Sequence, residues 1–197
     1  SWTLPHGDLE PGGVFGKSQM QTSTANAYVA PHSLQVAPDG AVWITLAYGN
    51  RLARFDPQTE SFRVHELETG IYPHTLRFDA KGRIWYTLAA SNHVGLFDPA
   101  TGTQKHIRLP AGTLGGDLIV RAMPLILWLG RHFEIQDEEG KGFMLPVPYG
   151  IDIAPDGGVW FSQLNEHRLG RIDPETLELT LVPTPFPTPR RMRFDSK

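Results

Sequence analysis

Two histidines, each preceded by proline, are the side chains of this sequence best suited to catalysis. His32 and His74 lie 42 positions apart, in the matching segments Pro31-His32-Ser33-Leu34 and Pro73-His74-Thr75-Leu76. Imidazoles exchange protons near neutral pH, so such a pair could supply a general base and a general acid. A histidine after proline at a strand start could instead serve only to hydrogen-bond a neighbouring backbone. The sequence alone leaves both interpretations open.

The position that holds these histidines recurs twice more along the chain. It is filled by Tyr149 after Pro148 and by Arg190 after Pro189. Four equivalent positions in successive repeats should form an arc, to which nearby turns and strand ends add further polar and aromatic groups. We therefore predict that the catalytic residues are His32 and His74, and that the substrate-binding residues are Tyr48, Tyr72, Tyr149, Gln163 and Arg190.

These positions belong to an internal repeat with a period of 42 residues, interrupted once by an insertion of 33. Each copy has a tryptophan shortly after a turn glycine, a hydroxyl residue two positions later, and then an Asp-Pro pair. The matching segments are Trp43-Ile44-Thr45, Trp85-Tyr86-Thr87 and Trp160-Phe161-Ser162, followed by Phe55-Asp56-Pro57, Phe97-Asp98-Pro99 and Ile172-Asp173-Pro174.

A period near 42, filled with β-branched and aromatic runs, is typical of four-stranded propeller blades. In the first copy we predict strands at 33–37, 41–46, 50–55 and 61–67. The turn glycines Gly40, Gly82 and Gly157 can adopt positive φ in tight hairpins, and the repeated tryptophans should pack between blades. The predicted fold is therefore all-β, a partial β-propeller with a partly helical insertion.

Propellers close with about four to eight blades, so three copies and the start of a fourth are expected to form a stretch of a larger ring. Long excursions from a compact repeat are usually functional, and this insertion rises from the face that carries the histidines. Its apolar piece at 118–129, with a hairpin predicted from Phe133–Ile135 to Phe143–Leu145, would cover the channel mouth or dock on a partner. The predicted segments are an out-of-register element of a preceding blade (1–30), blades at 31–72, 73–110 and 148–188, the insertion (111–147), and the first strand of a truncated blade (189–197).

Composition excludes several classes of function. The 197 residues carry 18 Lys and Arg against 21 Asp and Glu, a net charge of −3, and no cysteine. Nucleic-acid binding needs clustered basic side chains, so it is not expected. Alternation along a strand places Arg191 and Arg193 on one side and Arg190 on the other, so even these three arginines do not form one patch. The longest apolar run, 118–129, is too short for a membrane span. The sequence does not indicate a cellular compartment.

The repeated pattern, seen most clearly in Pro148-Tyr149-Gly150-Ile151 and Leu169-Gly170-Arg171-Ile172-Asp173, resembles the streptogramin lyases, also called virginiamycin B lyases. The resemblance covers 31–110 and 148–197, about two thirds of the chain, and parts of it are shared with NHL-type and sugar-lactonase (SMP-30-like) propellers. It implies seven blades, a catalytic role for histidines at Pro-His strand starts, and Mg²⁺ held with the help of an acidic residue. No such ligand set is recognisable here, because Tyr72, Leu88 and Gln163 occupy the positions where a carboxylate is expected.

The resemblance implies a carbon–oxygen lyase that opens a cyclic or ester-containing small molecule by elimination, without adding water. Two alternatives belong to other classes. One is a non-catalytic scaffold that binds a protein or a glycan through the same face and the insertion. The other is a metal-dependent lactonase, which is a hydrolase. The mass of a treated cyclic ester separates all three, because only hydrolysis adds a water and a scaffold forms no product.

Overall fold

The computed structural model of the chain describes residues 1–16, 28–132 and 145–195. Within these residues, twelve strands form three four-stranded antiparallel sheets, and each sheet takes its strands in chain order. The first sheet consists of β1 (Pro31–Val36), β2 (Val42–Leu46), β3 (Arg51–Asp56) and β4 (Ser61–Glu66). The second consists of β5 (Pro73–Phe78), β6 (Ile84–Leu88), β7 (His93–Phe97) and β8 (Gln104–Arg108). The third consists of β9 (Pro148–Ile153), β10 (Val159–Gln163), β11 (Arg168–Ile172) and β12 (Leu179–Pro183).

The three sheets are arranged side by side in chain order, and their first strands lie at a shared inner edge. Strand β5 lies against β1 and β2 of the preceding sheet, and β9 lies against β5 and β6. The first strands therefore stay together, which is how blades are arranged around a propeller axis. The described sheets do not close a ring. The predicted fold class, a partial propeller of four-stranded blades, is confirmed.

The repeated tryptophans fill the spaces between sheets. Trp43 is 3% exposed and shares a core cluster with Leu76 of the second sheet. Trp85 is fully buried and shares a cluster with Ile151 of the third sheet. Trp160 is half-buried and lies against the segment that follows β12. Each sheet thus buries apolar side chains on a face that a neighbouring element covers, as the repeat predicts.

The strands of the first sheet begin and end close to the predicted positions. Glycines in the turns between strands account for several of these ends. Gly40, Gly82 and Gly157, each between the first and second strands of its sheet, have φ of +83°, +76° and +84°, a region that side chains disfavour. Strand β1 starts at Pro31, two residues before its predicted start. Pro31 lacks an N–H, and the pairing with β2 is irregular over the next two residues.

A buried hydroxyl in the second strand of each sheet bridges that irregularity and also reaches the next blade. In the first sheet, Thr45 Oγ1 accepts a hydrogen bond from Ser33 N–H at 2.9 Å and donates to the carbonyl oxygen of His74 at 3.0 Å. These hydroxyls therefore connect successive first strands. The equivalent contacts are Thr75 N to Thr87 Oγ1 (3.1 Å) and Thr87 Oγ1 to Tyr149 O (3.2 Å), then Gly150 N to Ser162 Oγ (3.0 Å) and Ser162 Oγ to Arg190 O.

The insertion contains helix α1 (Leu114–His132), which begins where Thr113 Oγ1 accepts a hydrogen bond from Gly116 N–H at 3.0 Å. Its buried face carries Met123 and Leu127, which share a core cluster with Phe15 and Tyr48. The helix therefore lies on the turns that lead out of the second strands. The helical part of the prediction is confirmed. The hairpin predicted between Phe133 and Leu145 lies outside the described residues except for Leu145.

The opposite face of α1 is apolar and exposed, with Leu118 at 68% and Leu125 at 59%. No helix among the described residues combines the length and the apolar character needed to cross a membrane.

Two further segments complete the described chain. Residues 1–16 include a short 3-10 helix, Gly13–Phe15, and Val14 N–H donates to the carbonyl oxygen of Tyr48 at 2.8 Å. Residues 189–195 form no strand, although Phe194 N–H donates to Asp152 Oδ2 at 2.9 Å and so holds this segment beside β9. The predicted boundaries of the segments at both ends stay predictions.

Candidate functional site

The propeller brings the two Pro-His histidines into contact. His32 is the second residue of β1 and His74 the second residue of β5, and these strands are neighbours at the inner edge of successive sheets. The imidazole rings stack with centroids 3.7 Å apart and planes tilted by 34°. His32 is exposed, whereas His74 is 5% exposed. The predicted pairing of the two imidazoles is therefore present, with one ring accessible and the other behind it.

Both rings are held through Nδ1 by carbonyl oxygens of the next blade. His32 Nδ1 lies 3.1 Å from the carbonyl oxygen of His74, and His74 Nδ1 lies 3.0 Å from the carbonyl oxygen of Tyr149. His74 Nδ1 also lies 2.9 Å from Thr75 Oγ1, whose own proton points to the same Tyr149 oxygen. A carbonyl oxygen only accepts hydrogen bonds, so each neutral ring carries its proton on Nδ1. Nε2 is then the nitrogen with the lone pair.

The surroundings keep both rings neutral near neutral pH. The pKa of His74 is lowered to about 4, chiefly by burial and then by the charge of the adjacent His32. The pKa of His32 is also lowered, first by partial burial and then by the Arg191 guanidinium, although the hydrogen bond to the His74 carbonyl opposes this. At pH 7 the His74 ring is therefore neutral. Both rings are therefore available to accept a proton at Nε2 near neutral pH, and the more strongly lowered pKa makes His74 the weaker base of the two.

Aromatic rings surround the histidine pair. The ring of Tyr149 lies 4.3 Å from that of His74, centroid to centroid, and the ring of Tyr72 lies 6.2 Å from the same imidazole on another side. Tyr48 is 6.1 Å from Tyr72 and is 8% exposed beneath helix α1. Burial raises the pKa of the Tyr72 phenol. These three tyrosines, predicted to bind substrate, form a row of aromatic rings that reaches the imidazole of His74.

Tyr72 has an uncommon backbone conformation, with φ of +68° immediately before a proline. It is held on both sides, because its N–H donates to Asn50 Oδ1 at 3.2 Å and its carbonyl oxygen accepts from Ala89 N–H at 2.9 Å. Ala30 and Thr188 occupy the same repeat position and also have positive φ. The conformation recurs before three of the four equivalent prolines, and Val147, before Pro148, does not share it.

The other two predicted binding residues occupy different surroundings. The Arg190 guanidinium lies over the Tyr149 ring, 5.9 Å from its centroid, so Arg190 extends the arc as predicted from the repeat. Gln163 is fully buried, and both ends of its amide are engaged. Its Nε2 donates to Asn92 Oδ1 at 2.9 Å, and its Oε1 accepts from Arg168 Nε at 2.7 Å. The structure therefore gives Gln163 a role in holding the third sheet to the second.

The residues around the imidazole pair do not fit a magnesium ion. Among residues 1–16, 28–132 and 145–195, no three side chains of His, Asp or Glu come together closely enough to hold a metal. The charged group that acts on both imidazoles is Arg191, a cation that would repel Mg²⁺. Mg²⁺ prefers carboxylate oxygens and water.

Two features of the site were missed by sequence reasoning. The hydroxyl of Thr87, matched to Thr45 in the repeat, proves to share the Tyr149 carbonyl with His74. Its recurrence two residues after tryptophan was the available signal. The sequence predicts only which side of its strand Arg191 occupies, and nothing in it places Arg191 beside histidines more than one hundred residues earlier.

Solved structures share this fold. Virginiamycin B lyase from Staphylococcus aureus superposes with a TM-score of 0.61 and 23% identity, over 82% of this chain and 44% of that one. A catalytically inactive histidine-to-alanine variant of the S. aureus lyase, determined with quinupristin, gives a TM-score of 0.62 and 21% identity, over 84% of this chain and 46% of that one. The chain is thus similar in fold to the streptogramin lyase propellers and spans less than half of their length.

The fold alone does not assign an activity. Hydrazine synthase from Kuenenia stuttgartiensis superposes equally well, with a TM-score of 0.61 and 16% identity over 87% of this chain and 41% of that one. No family model and no curated protein sequence matches this chain. One fold thus carries different functions, and the side chains at the site distinguish them.

Proposed function

We propose that this chain carries the proton-accepting part of a lyase site, which opens an ester-containing small molecule by elimination. The observation that carries the proposal is the stacked imidazole pair, with both Nδ1 atoms bound to carbonyl oxygens and both rings neutral near pH 7. The likeness in fold to streptogramin lyases, one of them inactivated by loss of a histidine, supports the same chemistry.

The accessible ring, His32, is the general base. Its pKa is less strongly lowered than that of His74, and a base works best when its pKa is near the working pH. The hydrogen bond from Nδ1 to the His74 carbonyl stabilises the imidazolium that forms when Nε2 accepts a proton. His74 stays neutral behind it, so the pair carries one charge and not two. His74 is a positioning residue in this assignment.

The substrate has a hydrogen on the carbon beside a carbonyl group and an ester oxygen on the next carbon. His32 Nε2 removes that hydrogen as a proton, and its electron pair forms a carbon–carbon double bond. The bond from the second carbon to the ester oxygen breaks, and its electrons remain on the departing carboxylate. A carboxylate is a weak base that leaves without being protonated, so the site needs no acidic histidine. In a cyclic ester the ring opens and the mass is unchanged.

Liquid chromatography with tandem mass spectrometry of a cyclic depsipeptide tests the proposal, with quinupristin as the substrate. Elimination produces a species of the same mass with a new retention time and the fragmentation pattern of a linear chain. A product heavier by one water identifies a hydrolase. No product at all identifies a binding scaffold. Either of the last two results overturns the proposed elimination.

Substitution by asparagine separates the two roles of His32. Asparagine places an amide N–H near the position of Nδ1, so His32→Asn keeps a donor for the His74 carbonyl and removes the Nε2 base. We expect the rate to fall at least about 100-fold, the ordinary contribution of a general base. His106→Asn, on the outer strand β8, is the matched control and should keep the wild-type rate. Full turnover by His32→Asn would show that His32 is not the base.

A further inference from the structure

A polar cavity of about 210 Å³ opens beside the histidine pair, between β1, β5 and the segment that follows β12. His32 forms part of its wall, together with Arg77, Arg191 and Arg193 and the hydroxyl residue Thr75. The cavity is much larger than a single water needs. Its lining contains three arginines and one histidine, and it contains no carboxylate.

The positive charge in this cavity is only partly neutralised. Arg77 forms an ion pair with Asp152, which lies outside the lining, with Nε to Oδ1 at 3.1 Å and both side chains 13% exposed. Asp152 Oδ2 is already engaged by the main chain of the last segment. Burial and then the charge of Arg193 lower the pKa of Arg77, and Arg191 adds to this effect while Asp152 opposes it, so Arg191 and Arg193 both repel the Arg77 guanidinium. A bound anion would relieve that repulsion.

The cations also lie close to the general base. Arg191 and His32 line the same cavity, and the charge of Arg191 lowers the pKa of both His32 and His74. The planar guanidinium group offers paired N–H donors that match the two oxygens of a carboxylate. An anionic group held by Arg191 and Arg193 would therefore lie within one small molecule's length of the His32 ring.

We propose that this arginine-lined cavity binds a carboxylate group of the substrate, and that during elimination it receives the carboxylate that leaves. The second half of this statement rests on the proposed function, whereas binding of a carboxylate does not. The arginines then supply the positive charge that a metal ion supplies in other enzymes, because the departing ester oxygen gains a full negative charge as its bond to carbon breaks.

Binding of a simple carboxylate tests the site without any catalysis. Benzoate is added to the chain in low-chloride buffer, and the amide signals of Ser33 and Thr75 are followed by NMR. Benzamide, which has nearly the same shape and no charge, is the matched ligand control, and phenyl phosphate is the second oxyanion. We expect saturable benzoate shifts, binding of benzamide at least about tenfold weaker, and benzoate affinity no lower than that of phenyl phosphate.

Two variants make the result specific to the cavity. Arg191→Met removes one exposed guanidinium and should weaken benzoate binding at least about tenfold. Arg63→Met, on the outer strand β4, removes the same charge at a distance and should bind as wild type does. Equal affinity for benzoate and benzamide, or unchanged binding by Arg191→Met, would overturn the proposal. Tighter binding of phenyl phosphate would show that the cavity selects phosphate.

The two proposals fail in different ways. If benzoate binding depends on Arg191 but no elimination occurs, the carboxylate site is supported and the proposed lyase activity is rejected. If the chain catalyses elimination and Arg191→Met does not change the rate, the lyase activity is supported. Arg191 then has no role in its mechanism.

Discussion

His32 donates from Nδ1 to the main-chain carbonyl oxygen of His74, 3.1 Å away, while the two imidazole rings stack with their centroids 3.7 Å apart. The hydrogen bond joins the first blade to the second, so the histidine has the structural role that a polar group at a strand start often has. The same bond fixes the proton on Nδ1 and leaves the lone pair on Nε2. The ring thus makes the structural contact through Nδ1 and leaves Nε2 available for the proposed catalysis.

The titration of His74 follows directly from this arrangement. NMR of the imidazole signals should show His74 neutral through the physiological range, with a pKa of about 4 in the wild-type chain. In His32→Asn the pKa should rise, because the like charge that disfavours protonation is removed while most of the burial remains. A His74 pKa that stayed the same in this variant would show that the stacked rings do not interact electrostatically.

The same shift makes the stability of the fold depend on pH. The unfolded chain binds a proton at His74 near its ordinary pKa of 6.5, whereas the folded chain binds it only near pH 4. The free energy of unfolding should therefore fall as the pH is lowered from about 6.5 to 4, by on the order of 3 kcal/mol from this group, and this contribution should level off below pH 4. His32, with its pKa also lowered, adds a loss of the same sign.

Urea denaturation at a series of pH values measures this dependence. His74→Asn keeps an amide donor for the Tyr149 carbonyl and cannot titrate, so its stability should change less over the same range. A slope as steep as that of the wild-type chain would mean that the dependence arises at other groups.

The buried hydroxyl of Thr87 should stabilise the contact between the second and third blades. Thr87→Val keeps the shape of the side chain and removes the acceptor for Thr75 N–H and a donor to the Tyr149 carbonyl. Leaving the partly buried Thr75 N–H without its partner costs on the order of 1 kcal/mol, so the midpoint of urea unfolding should drop accordingly. Thr180→Val, at an exposed position of β12, is the control and should unfold at the wild-type midpoint.

Aromatic rings of the second strand lie on glycines of the third, and these glycines should be intolerant of any side chain. A methyl group at Gly95 would overlap the Tyr86 ring, which is fully buried between blades and cannot move aside. Gly95→Ala should cost about 1–3 kcal/mol of unfolding free energy, typical of overpacking. At Gly115, on α1, an added methyl meets nothing within 4 Å, so Gly115→Ala should be neutral or slightly stabilising. Equal losses would contradict the packing argument.

The repeat made most of the fold predictable from sequence. The period, the turn glycines and the Asp-Pro pairs predict where the twelve described strands lie. Each of these features is local in the sequence and recurs in every blade. The apolar run at 118–129 also predicts α1, although its exact extent depends on Thr113, which ends the preceding turn and caps the helix. Where the helix lies could not be predicted, because its contacts with Phe15 and Tyr48 join parts of the chain that share no pattern.

The site was predictable only in outline. Equivalent repeat positions identified His32 and His74 as neighbours, and Tyr149 and Arg190 as continuing their arc. The tautomers of the rings, the lowered pKa of His74 and the approach of Arg191 depend on atoms contributed by the following blade, so no local motif encodes them. Gln163 is an example. Its place at the end of a strand suggests a binding residue, but the side chain is fully buried and hydrogen-bonded to Arg168.

Helix α1 should support the tyrosine wall of the site through its buried face alone. Leu127 is 7% exposed and packs in the cluster that contains Tyr48, so Leu127→Ala should cost about 2–5 kcal/mol and loosen the helix from the propeller. Leu125 is 59% exposed on the opposite face, and Leu125→Ala should change stability by less than about 0.5 kcal/mol. Urea denaturation compares the two. Hydrogen exchange at Ala89, whose N–H bonds to the Tyr72 carbonyl, reports the local effect and should accelerate only in Leu127→Ala. If Leu125→Ala accelerated this exchange as strongly, the exposed face of α1 would have to be in contact with the site as well.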